Sequence, residues 1–397
     1  MQSSFSTSSR KSMKFLHDEE NNKNQENLNE FTSLIPGLPN HLSQQCLSYL
    51  PPSFLYSVCK SWRQFIYSPY FPPFYSLYAL SSPRSNHSSN SSSTSLSHQE
   101  PIQFFCLNPF SSIWEPLPNP PLESSLNILR HHPSFISRNF PIQSITASGR
   151  LLLIAASTHN LQPAFRCSLG FDPLTKKWFL GPPLANPRRW CITGAVNGSI
   201  YVASGIGSGY QSDVAKSLEK WDMKQSETEW KWEKMEDYKD GRFCREATEA
   251  IGLSKWDKLC MVNVKGNARK AGAVYNAKMS MWEEMPAGML SGWTGPAAVE
   301  EEGDVVYVVD ETKGALRRYH LESDNWEELI VAPHYFRGVE QVAAGRGRVC
   351  VVCAGGGRIV VVDVVARPVS IWVVNPPEGM EVVAVHILPR MCEVESN

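Results

Sequence analysis

The sequence lacks the features that would place it among membrane, secreted or nucleic-acid-binding proteins. Its 38 Lys and Arg residues nearly balance its 39 Asp and Glu residues, and the net charge of -1 gives no reason to expect nucleic acid or an anionic membrane as a partner. No apolar run approaches the ~20 residues that span a bilayer. Residues 1–33 have no apolar signal core and turn acidic and Asn-rich, which predicts a disordered tail.

Motifs for catalysis and metal binding are absent as well. No H-E-x-x-H, G-x-S-x-G or P-loop pattern occurs. Cys350 and Cys353 have no second Cys pair, and residues three apart on a strand point to opposite faces, which argues against zinc. The ten Cys are irregularly spaced, and Cys191, Cys260 and Cys350 lie in apolar runs, so we expect reduced, buried thiols. The sequence therefore predicts a non-catalytic protein without metal or cofactor, located in the cytoplasm, the nucleus or both.

What the sequence does contain, from about residue 100 onward, is a repeat. In each copy a Gly or polar residue opens a short apolar run, and a turn residue is followed six positions later by Trp, as in Asp172 to Trp178. Asp222 to Trp232 and Asp363 to Trp372 are looser copies with insertions. The repeating Trp residues, 44 to 64 positions apart, are Trp114, Trp178, Trp232, Trp282, Trp326 and Trp372.

A period near 50 residues, made of short strands and Gly-rich turns, is typical of the blades of a β-propeller. Four strands of ~5–6 residues with their turns fill that length, and one blade cannot bury both of its faces alone. A Trp at a fixed position would then fill the wedge between neighbouring blades. Residues 145–390 resemble five kelch repeats, with "VASGIG" and "VVCAGGG" as the closest copies of the double-Gly signature.

A sixth blade requires segments from both ends of the repeat region. Residues 381–389 have the pattern of a lone inner strand, while 74–80, 102–108 and 112–118 match the three outer strands of the same motif. A blade shared in this way would close the ring and remove its open edges. The predicted fold class is therefore mainly β: a six-bladed kelch-type β-propeller preceded by a small all-α module. A seventh, irregular blade within 190–260 stays open as an alternative.

The predicted domains are the tail at 1–33, a helical module at 34–72 and a propeller at 73–397. The Ser-rich stretch at 81–100 predicts a disordered insertion inside the closing blade. In the helical module, Asn40 is expected to cap a helix that ends before Pro51 and Pro52. Two or three short helices in ~35 residues cannot bury their own apolar surface. From the pattern alone, that surface either packs on the propeller or docks on another protein.

The helical module resembles an F-box. The match spans roughly residues 34–70 and includes Leu38-Pro39, Leu47 to Pro51, and "SVCKSWR" at 57–63. This resemblance implies docking on the Skp-type adaptor, and through it on the cullin, of an SCF-type ubiquitin ligase. The residues it implies for the adaptor-facing or internal apolar surface are Leu38, Pro39, Leu42, Leu47, Val58 and Trp62. An F-box followed by kelch repeats is typical of plants, and the whole chain resembles plant F-box/kelch proteins that interact with Skp adaptors.

The segments that join one blade to the next pair Arg with an aromatic residue in four of five copies. Because they occupy equivalent positions around the ring, we expect them on one face near the central channel, where kelch propellers bind peptide partners. The candidate substrate-binding residues are Arg138, Arg188, Arg189, Trp190, Phe243, Arg245, Trp293, Tyr335, Phe336 and Arg337. Such side chains suit an acidic or phosphorylated peptide. The alternative is that the Arg residues pair with local acids such as Glu246 and the aromatic residues fill the core.

Three functions are compatible with this sequence. The leading hypothesis is the substrate receptor of an SCF-type ubiquitin ligase, which promotes transfer by proximity and needs no catalytic residue of its own. The second is a kelch scaffold whose helical module merely caps the propeller, and the exposure of Leu47, Val58 and Trp62 distinguishes these two. The third, a propeller enzyme, would need acids, His or metal ligands that converge in the central channel.

Overall fold

A computed structural model places the polypeptide in two units, Met1–Phe74 with Met391–Asn397, and Tyr75–Arg390. The second unit begins two residues beyond the boundary expected from the sequence, because Tyr75 is the first residue of a strand. The predicted tail at 1–33 lies outside the described residues. The structure describes residues 34–50, 52–68, 70–72, 74–84, 99–121, 127–129, 143–154, 166–188, 190–207, 212–239, 241–244, 247–265, 269–300 and 303–391.

The described part of the first unit is helical, with α1 (Asn40–Ser48), α2 (Pro52–Val58) and α3 (Lys60–Ile66). The break between α1 and α2 was predicted, because proline lacks an N–H group and suits the first turn of a helix. The prediction that Asn40 caps α1 is wrong. Pro39 occupies the cap position without a side-chain hydrogen bond, and Asn40 Oδ1 accepts a hydrogen bond from Leu34 N over 3.3 Å.

In the second unit, short helical segments connect a series of strands. None of the helices in the described ranges is long and apolar enough to cross a membrane. The helical segments are α4 (Ser212–Lys216), α5 (Ala287–Gly292) and 3₁₀ turns at Glu227–Glu229, Arg242–Cys244 and Ala354–Gly356. The strands are β1 (Tyr75–Pro83), β2 (Gln99–Pro101), β3 (Gln103–Leu107), β4 (Trp114–Pro116), β5 (Asn127–Leu129), β6 (Gln143–Ala147), β7 (Arg150–Ile154), β8 (Cys167–Asp172), β9 (Lys177–Pro183), β10 (Ile192–Val196), β11 (Ser199–Ala203), β12 (Leu218–Asp222), β13 (Trp232–Lys234), β14 (Ala247–Leu253), β15 (Lys258–Lys265), β16 (Gly272–Asn276), β17 (Met281–Glu283), β18 (Ala297–Glu300), β19 (Val305–Asp310), β20 (Ala315–His320), β21 (Asn325–Val331), β22 (Gln341–Gly345), β23 (Arg348–Val352), β24 (Ile359–Asp363), β25 (Ser370–Val374) and β26 (Met380–Pro389).

These strands form a six-bladed β-propeller, as predicted. Blades 1 to 5 are the antiparallel sheets β6–β9, β10–β13, β14–β17, β18–β21 and β22–β25, each in sequence order from the inner to the outer strand. The described part of 190–260 forms blade 2 and the first half of blade 3, so the alternative of an extra, irregular blade there is wrong. Cys191, Cys260 and Cys350 are buried, as expected from their apolar runs.

Blade 6 closes the ring with strands from the two ends of the repeat region. Its strand order is β26-β1-β3-β4, which confirms the predicted shared blade. The inner strand pairs antiparallel with β1, from Tyr75 opposite Pro389 to Pro83 opposite Met380. Of the insertion expected to be disordered at 81–100, residues 81–83 belong to β1 and 99–100 to β2, which pairs with β5, while 85–98 lie outside the described residues.

The turn residues of the repeat have a local structural role. Asp172 Oδ1 accepts a hydrogen bond from the N–H of Leu174 over 2.9 Å. Asn276 Oδ1 likewise accepts one from Lys278 N over 3.1 Å. This side-chain contact mimics a backbone turn and fixes the hairpin between the third and fourth strands. The recurrence of Asp or Asn at these positions therefore follows from turn geometry.

The repeating Trp residues bind each blade to the one before it. The indole N–H of Trp232 donates to the carbonyl oxygen of Pro182 over 2.9 Å, and that of Trp282 donates to Glu236 O over 2.9 Å. In each case the acceptor lies at or after the outer strand of the preceding blade. The same contact joins Trp114 to Asn375, Trp178 to Pro118 and Trp326 to Gly288. Each of these Trp side chains therefore fills an interblade wedge and also satisfies a backbone acceptor.

Trp372 is the exception, so its assignment as the sixth wedge residue was wrong. In the other blades the wedge Trp pairs with the residue before the turn residue, as Trp178 does with Phe171. In blade 5 the residue before Asp363 is Val362, and its partner is Ile371. Ile371 packs against the core between blades 4 and 5. Trp372 is one position out of register, and a one-residue shift moves a side chain to the opposite face of the sheet.

Candidate functional site

The helical unit exposes large apolar side chains. Tyr49, which follows α1, is 81% exposed, and Phe54 and Val58 on α2 are exposed as well. Single exposed apolar residues are ordinary, but several within three short helices form the kind of surface that partner proteins cover. The exposed large apolar side chains of this unit are Leu42, Tyr49, Leu50, Phe54, Val58 and Tyr70.

The six residues expected in the adaptor-facing or internal surface divide between these two roles. Pro39, Leu42 and Val58 are exposed, whereas Leu38 and Trp62 are half-buried. Leu47 is only 1% exposed. The Trp62 indole donates a hydrogen bond to the carbonyl oxygen of Leu34 over 2.6 Å, which ties α3 to the segment that precedes α1. Leu47 and Trp62 thus have internal contacts, and Leu42 and Val58 are available to a partner.

Sequence reasoning missed Tyr49 and Phe54, two of the most exposed apolar side chains of the helical unit. Phe54 and Leu55 are adjacent on α2, and a helix turns ~100° per residue, so they point in different directions. Leu55 is fully buried and Phe54 is exposed. Two adjacent apolar residues on a short helix indicate that one of them is exposed, because they cannot both face the same core.

Most of the junction residues expected to contact a ligand are buried. Phe336 lies in the apolar core between blades 4 and 5, with Leu316 and Val349. Trp293 and Phe243 lie in the cores between blades 3 and 4 and between blades 2 and 3, and Trp190 is buried as well. The expectation that these four aromatic residues contact a ligand is corrected: each linker crosses an interblade gap, and burial of the ring there removes a large apolar area from water.

Arg188 is also internal. It is 0% exposed, and its guanidinium pairs with the carboxylate of Glu219 on β12. The guanidinium also donates to the carbonyl oxygens of Asn186 and Ser204, both over 3.2 Å, and to Ser217 Oγ over 2.5 Å. The expected role in ligand binding is therefore corrected, because these contacts occupy the planar donor set of the side chain.

Two of the ten candidate residues remain accessible in the described part of the chain. Arg337 is exposed and Tyr335 is half-buried, both in the linker that leads into blade 5. Arg358, in the neighbouring loop 353–358, donates a hydrogen bond to the carbonyl oxygen of His334 over 2.8 Å. Loop and linker thus form one continuous rim, called the blade-5 rim below. Arg138, Arg189 and Arg245 lie outside the described residues.

The central channel has a volume of about 510 Å³ and a lining of mixed polar and apolar side chains. Acidic side chains outnumber basic ones among its described lining residues, contrary to the Arg-rich surroundings expected from the sequence. The charged lining residues are Glu249, Glu300, Glu340 and Arg346, and the neutral polar ones include Gln143, Ser144, Thr146, Thr193, Thr248 and Gln341. The three glutamates of this interior would repel an anionic peptide.

His386, which lines the channel from β26, has both ring nitrogens engaged. One nitrogen, Nδ1, lies 3.1 Å from Thr146 Oγ1, and Nε2 lies 2.9 Å from Ser144 Oγ. Both hydroxyls belong to β6 of blade 1. Burial lowers the pKa of His386 to about 4, which keeps the ring neutral. This residue joins the closing blade to blade 1.

No protein-family model matches the chain. The chain is 48% identical over 373 residues, 92% of each sequence, to F-box/kelch-repeat protein SKIP25 of Arabidopsis thaliana. It is also similar to F-box protein AFR of the same plant, with 26% identity over 290 residues that cover 70% of this chain and 68% of that protein. F-box/kelch-repeat protein SKIP4, again from A. thaliana, is 23% identical over 292 residues, 71% of each chain.

Proposed function

Because the chain belongs to the F-box/kelch-repeat family, we propose that it is the substrate receptor of an SCF-type ubiquitin ligase. The helical unit docks on a Skp-type adaptor, and through it on the cullin, while the propeller captures a target protein. The observation that carries this proposal is the exposed apolar surface of a unit with only three short described helices. A unit of this kind gains stability when another protein covers it.

The adaptor-facing surface comprises Leu42 on α1, Tyr49 in the following turn, and Phe54 and Val58 on α2. All four side chains are exposed. Tyr and Phe supply rigid contact area, which is why aromatic residues dominate the binding energy of many interfaces. Leu47 and Trp62 support this surface from inside the unit.

The target binds at the blade-5 rim, through an acidic or phosphorylated segment. Arg337 is exposed, and no described residue forms an ion pair with it. Its guanidinium presents paired donors that match a carboxylate or a phosphate, and Tyr335 beside it adds aromatic contact area. Arg337→Glu should abolish capture of such a target and leave adaptor binding unchanged.

Ubiquitin transfer requires no catalytic group from this chain. Holding a target lysine near a charged conjugating enzyme raises the local concentration of the two reactants, and this is sufficient to accelerate transfer. The role of the protein is then geometric: it presents a target on the propeller and is held in the ligase by the helical unit.

The first experiment is a binding titration of the intact chain with a purified Skp-type adaptor. The test variant is Leu42→Asp with Phe54→Asp, which places both carboxylates in the first turns of α1 and α2, where negative charge is favourable. We expect at least about a tenfold loss of affinity per residue, since truncation of a hot-spot residue costs about 2 kcal/mol or more. The matched control is Ile113→Asp with Met279→Asp, two apolar side chains on propeller turns that are at least as exposed as Leu42 and Phe54.

Circular dichroism and thermal unfolding of both variants show whether they fold like the parent. Loss of binding in the test variant alone supports the receptor function. Absence of binding by a correctly folded intact chain would refute it, and the helical unit would then belong to a kelch scaffold without a ligase role.

A further inference from the structure

The outer strand of blade 5, β25, differs from the outer strands of the other five blades. An outer strand presents unpaired backbone N–H and C=O groups, and proteins protect such edges with charged side chains. β25 reads Ser-Ile-Trp-Val-Val and carries no charge. The charged residues on the other outer strands are Glu115, Lys177, Glu233, Lys234, Glu283, Glu327 and Glu328.

The register of blade 5 makes this edge apolar as well as uncharged. Trp372 follows the wedge residue Ile371, and the equivalent residue is Glu in four of the other blades. In blade 3 that residue, Glu283, forms an ion pair with Lys258 over 2.8 Å. In blade 5 the Arg348 guanidinium carbon instead lies 5.7 Å from the centre of the Trp372 ring. Trp372 is 38% exposed and Val373 is 42% exposed.

We propose that β25 pairs antiparallel with β25 of a second copy of this chain. Two-fold symmetry about Trp372 sets this residue opposite Trp372 of the second copy, Ile371 opposite Val373, and Ser370 opposite Val374. No like charges meet in this register, whereas the same centred self-pairing of β4, β13 or β21 would set a Glu opposite its own copy. Residues directly opposite share one face of a sheet, so the two indoles stack as a cross-strand aromatic pair.

The length of the edge limits the strength and the extent of this association. Pro368 precedes β25 and Pro376 follows it, and a residue without an N–H group cannot extend the ladder. Five residue pairs bury less than the ~1,200 Å² of a stable complex, so the dimer should form only at micromolar or higher concentration. An isologous contact uses the edge of both copies, and assembly therefore stops at the dimer.

Sedimentation velocity of the intact chain, from about 1 µM to about 100 µM, tests this proposal. We expect the weight-average sedimentation coefficient to rise from the monomer toward the dimer value. Trp372→Glu should remain monomeric throughout, because two carboxylates would lie opposite each other. This variant should fold, since it introduces the residue type that four blades carry at this position, with Arg348 as its ion-pair partner.

Charge exchange makes the test specific for this register. Trp372→Lys should also be monomeric alone, and an equimolar mixture of the Glu and Lys variants should restore the dimer. Leu180→Lys is the matched control, because Leu180 is 49% exposed on outer strand β9 of blade 1. It should dimerise like the parent chain. A parent chain that stays monomeric, variants that still associate, or a mixture that fails to recover the dimer would each overturn the proposal.

Discussion

The buried ion pair between Arg188 and Glu219 offers a quantitative test of whether a junction arginine supports the fold or binds a target. Both residues are almost completely removed from solvent, at 0% and 4% exposure. At a separation of ~3 Å and an effective dielectric constant of ~20, Coulomb's law gives an attraction of about 5 kcal/mol. Desolvation offsets much of this attraction when the pair forms, but removal of one partner leaves the other charge buried and uncompensated.

Glu219→Gln should therefore lower the free energy of unfolding by about 3–5 kcal/mol, even though it retains the shape and an acceptor oxygen. Arg188→Met should lower the free energy of unfolding by a similar amount, because it leaves the Glu219 carboxylate buried without a counter-charge. It also removes the hydrogen bonds to Asn186, Ser204 and Ser217. The double replacement Arg188→Met with Glu219→Leu should recover most of the lost free energy of unfolding, since a well-packed apolar pair often stabilises a fold as much as a buried ion pair does.

Urea unfolding of the parent chain, Arg188→Met, Glu219→Leu and the double variant, followed by circular dichroism, gives the coupling energy as a double-mutant cycle. A coupling energy below about 1 kcal/mol would contradict the structural role. Full stability of Arg188→Met combined with loss of target capture would show that this side chain reaches a ligand.

Two further predictions concern contacts between blades. The pKa of His386 is lowered by burial from 6.5 to about 4, so the unfolded chain takes up a proton at higher pH than the folded one. The stability that the neutral ring contributes is complete above pH 6.5 and falls by about 3 kcal/mol as the pH drops to 4. Urea unfolding of His386→Gln should therefore show a free energy of unfolding that depends less on pH than that of the parent chain. An unchanged pH dependence would refute this prediction. Trp232→Phe should lower the free energy of unfolding by about 1 kcal/mol, because Pro182 O loses its indole donor. Trp372→Phe should change the unfolding midpoint by far less, and equal losses would refute the distinction between the two Trp positions.

The propeller could be predicted because each repeat is marked by residues that interact with near neighbours in the sequence. Asp172 and Asn276 fix their turns through their own side chains, and a Trp placed a set distance later pairs with the strand just before the turn. These relations depend on residues that are close together in the sequence. The shared closing blade could be predicted too. Residues 381–389 have the pattern of an inner strand without outer strands after it, and the N-terminal end of the repeat region has three outer strands without an inner strand.

The orientation of the linker side chains could not be predicted in the same way. Whether Phe336 points outward or into a core depends on Leu316 and Val349 in two different blades, which no local pattern reveals. The counter-charge of Arg188 is Glu219, which lies 31 residues later on β12, the third strand of blade 2. Spacing did not reveal the displacement of Trp372 either: it lies nine positions after Asp363, but the wedge residue Trp232 lies ten positions after Asp222. Only the strand pairing showed that Ile371 takes its place.

The pairing of β1 with β26 has a consequence for the synthesis of the chain. At about 5–20 residues per second, the roughly 300 residues between these two strands occupy the ribosome for about 15–60 s. Throughout that interval β1, with Leu77, Tyr78 and Leu80 destined for burial, exists without its inner neighbour. Of the described propeller strands, the one translated last thus closes the ring, and until then the nascent propeller carries an open, apolar edge that chaperones can recognise.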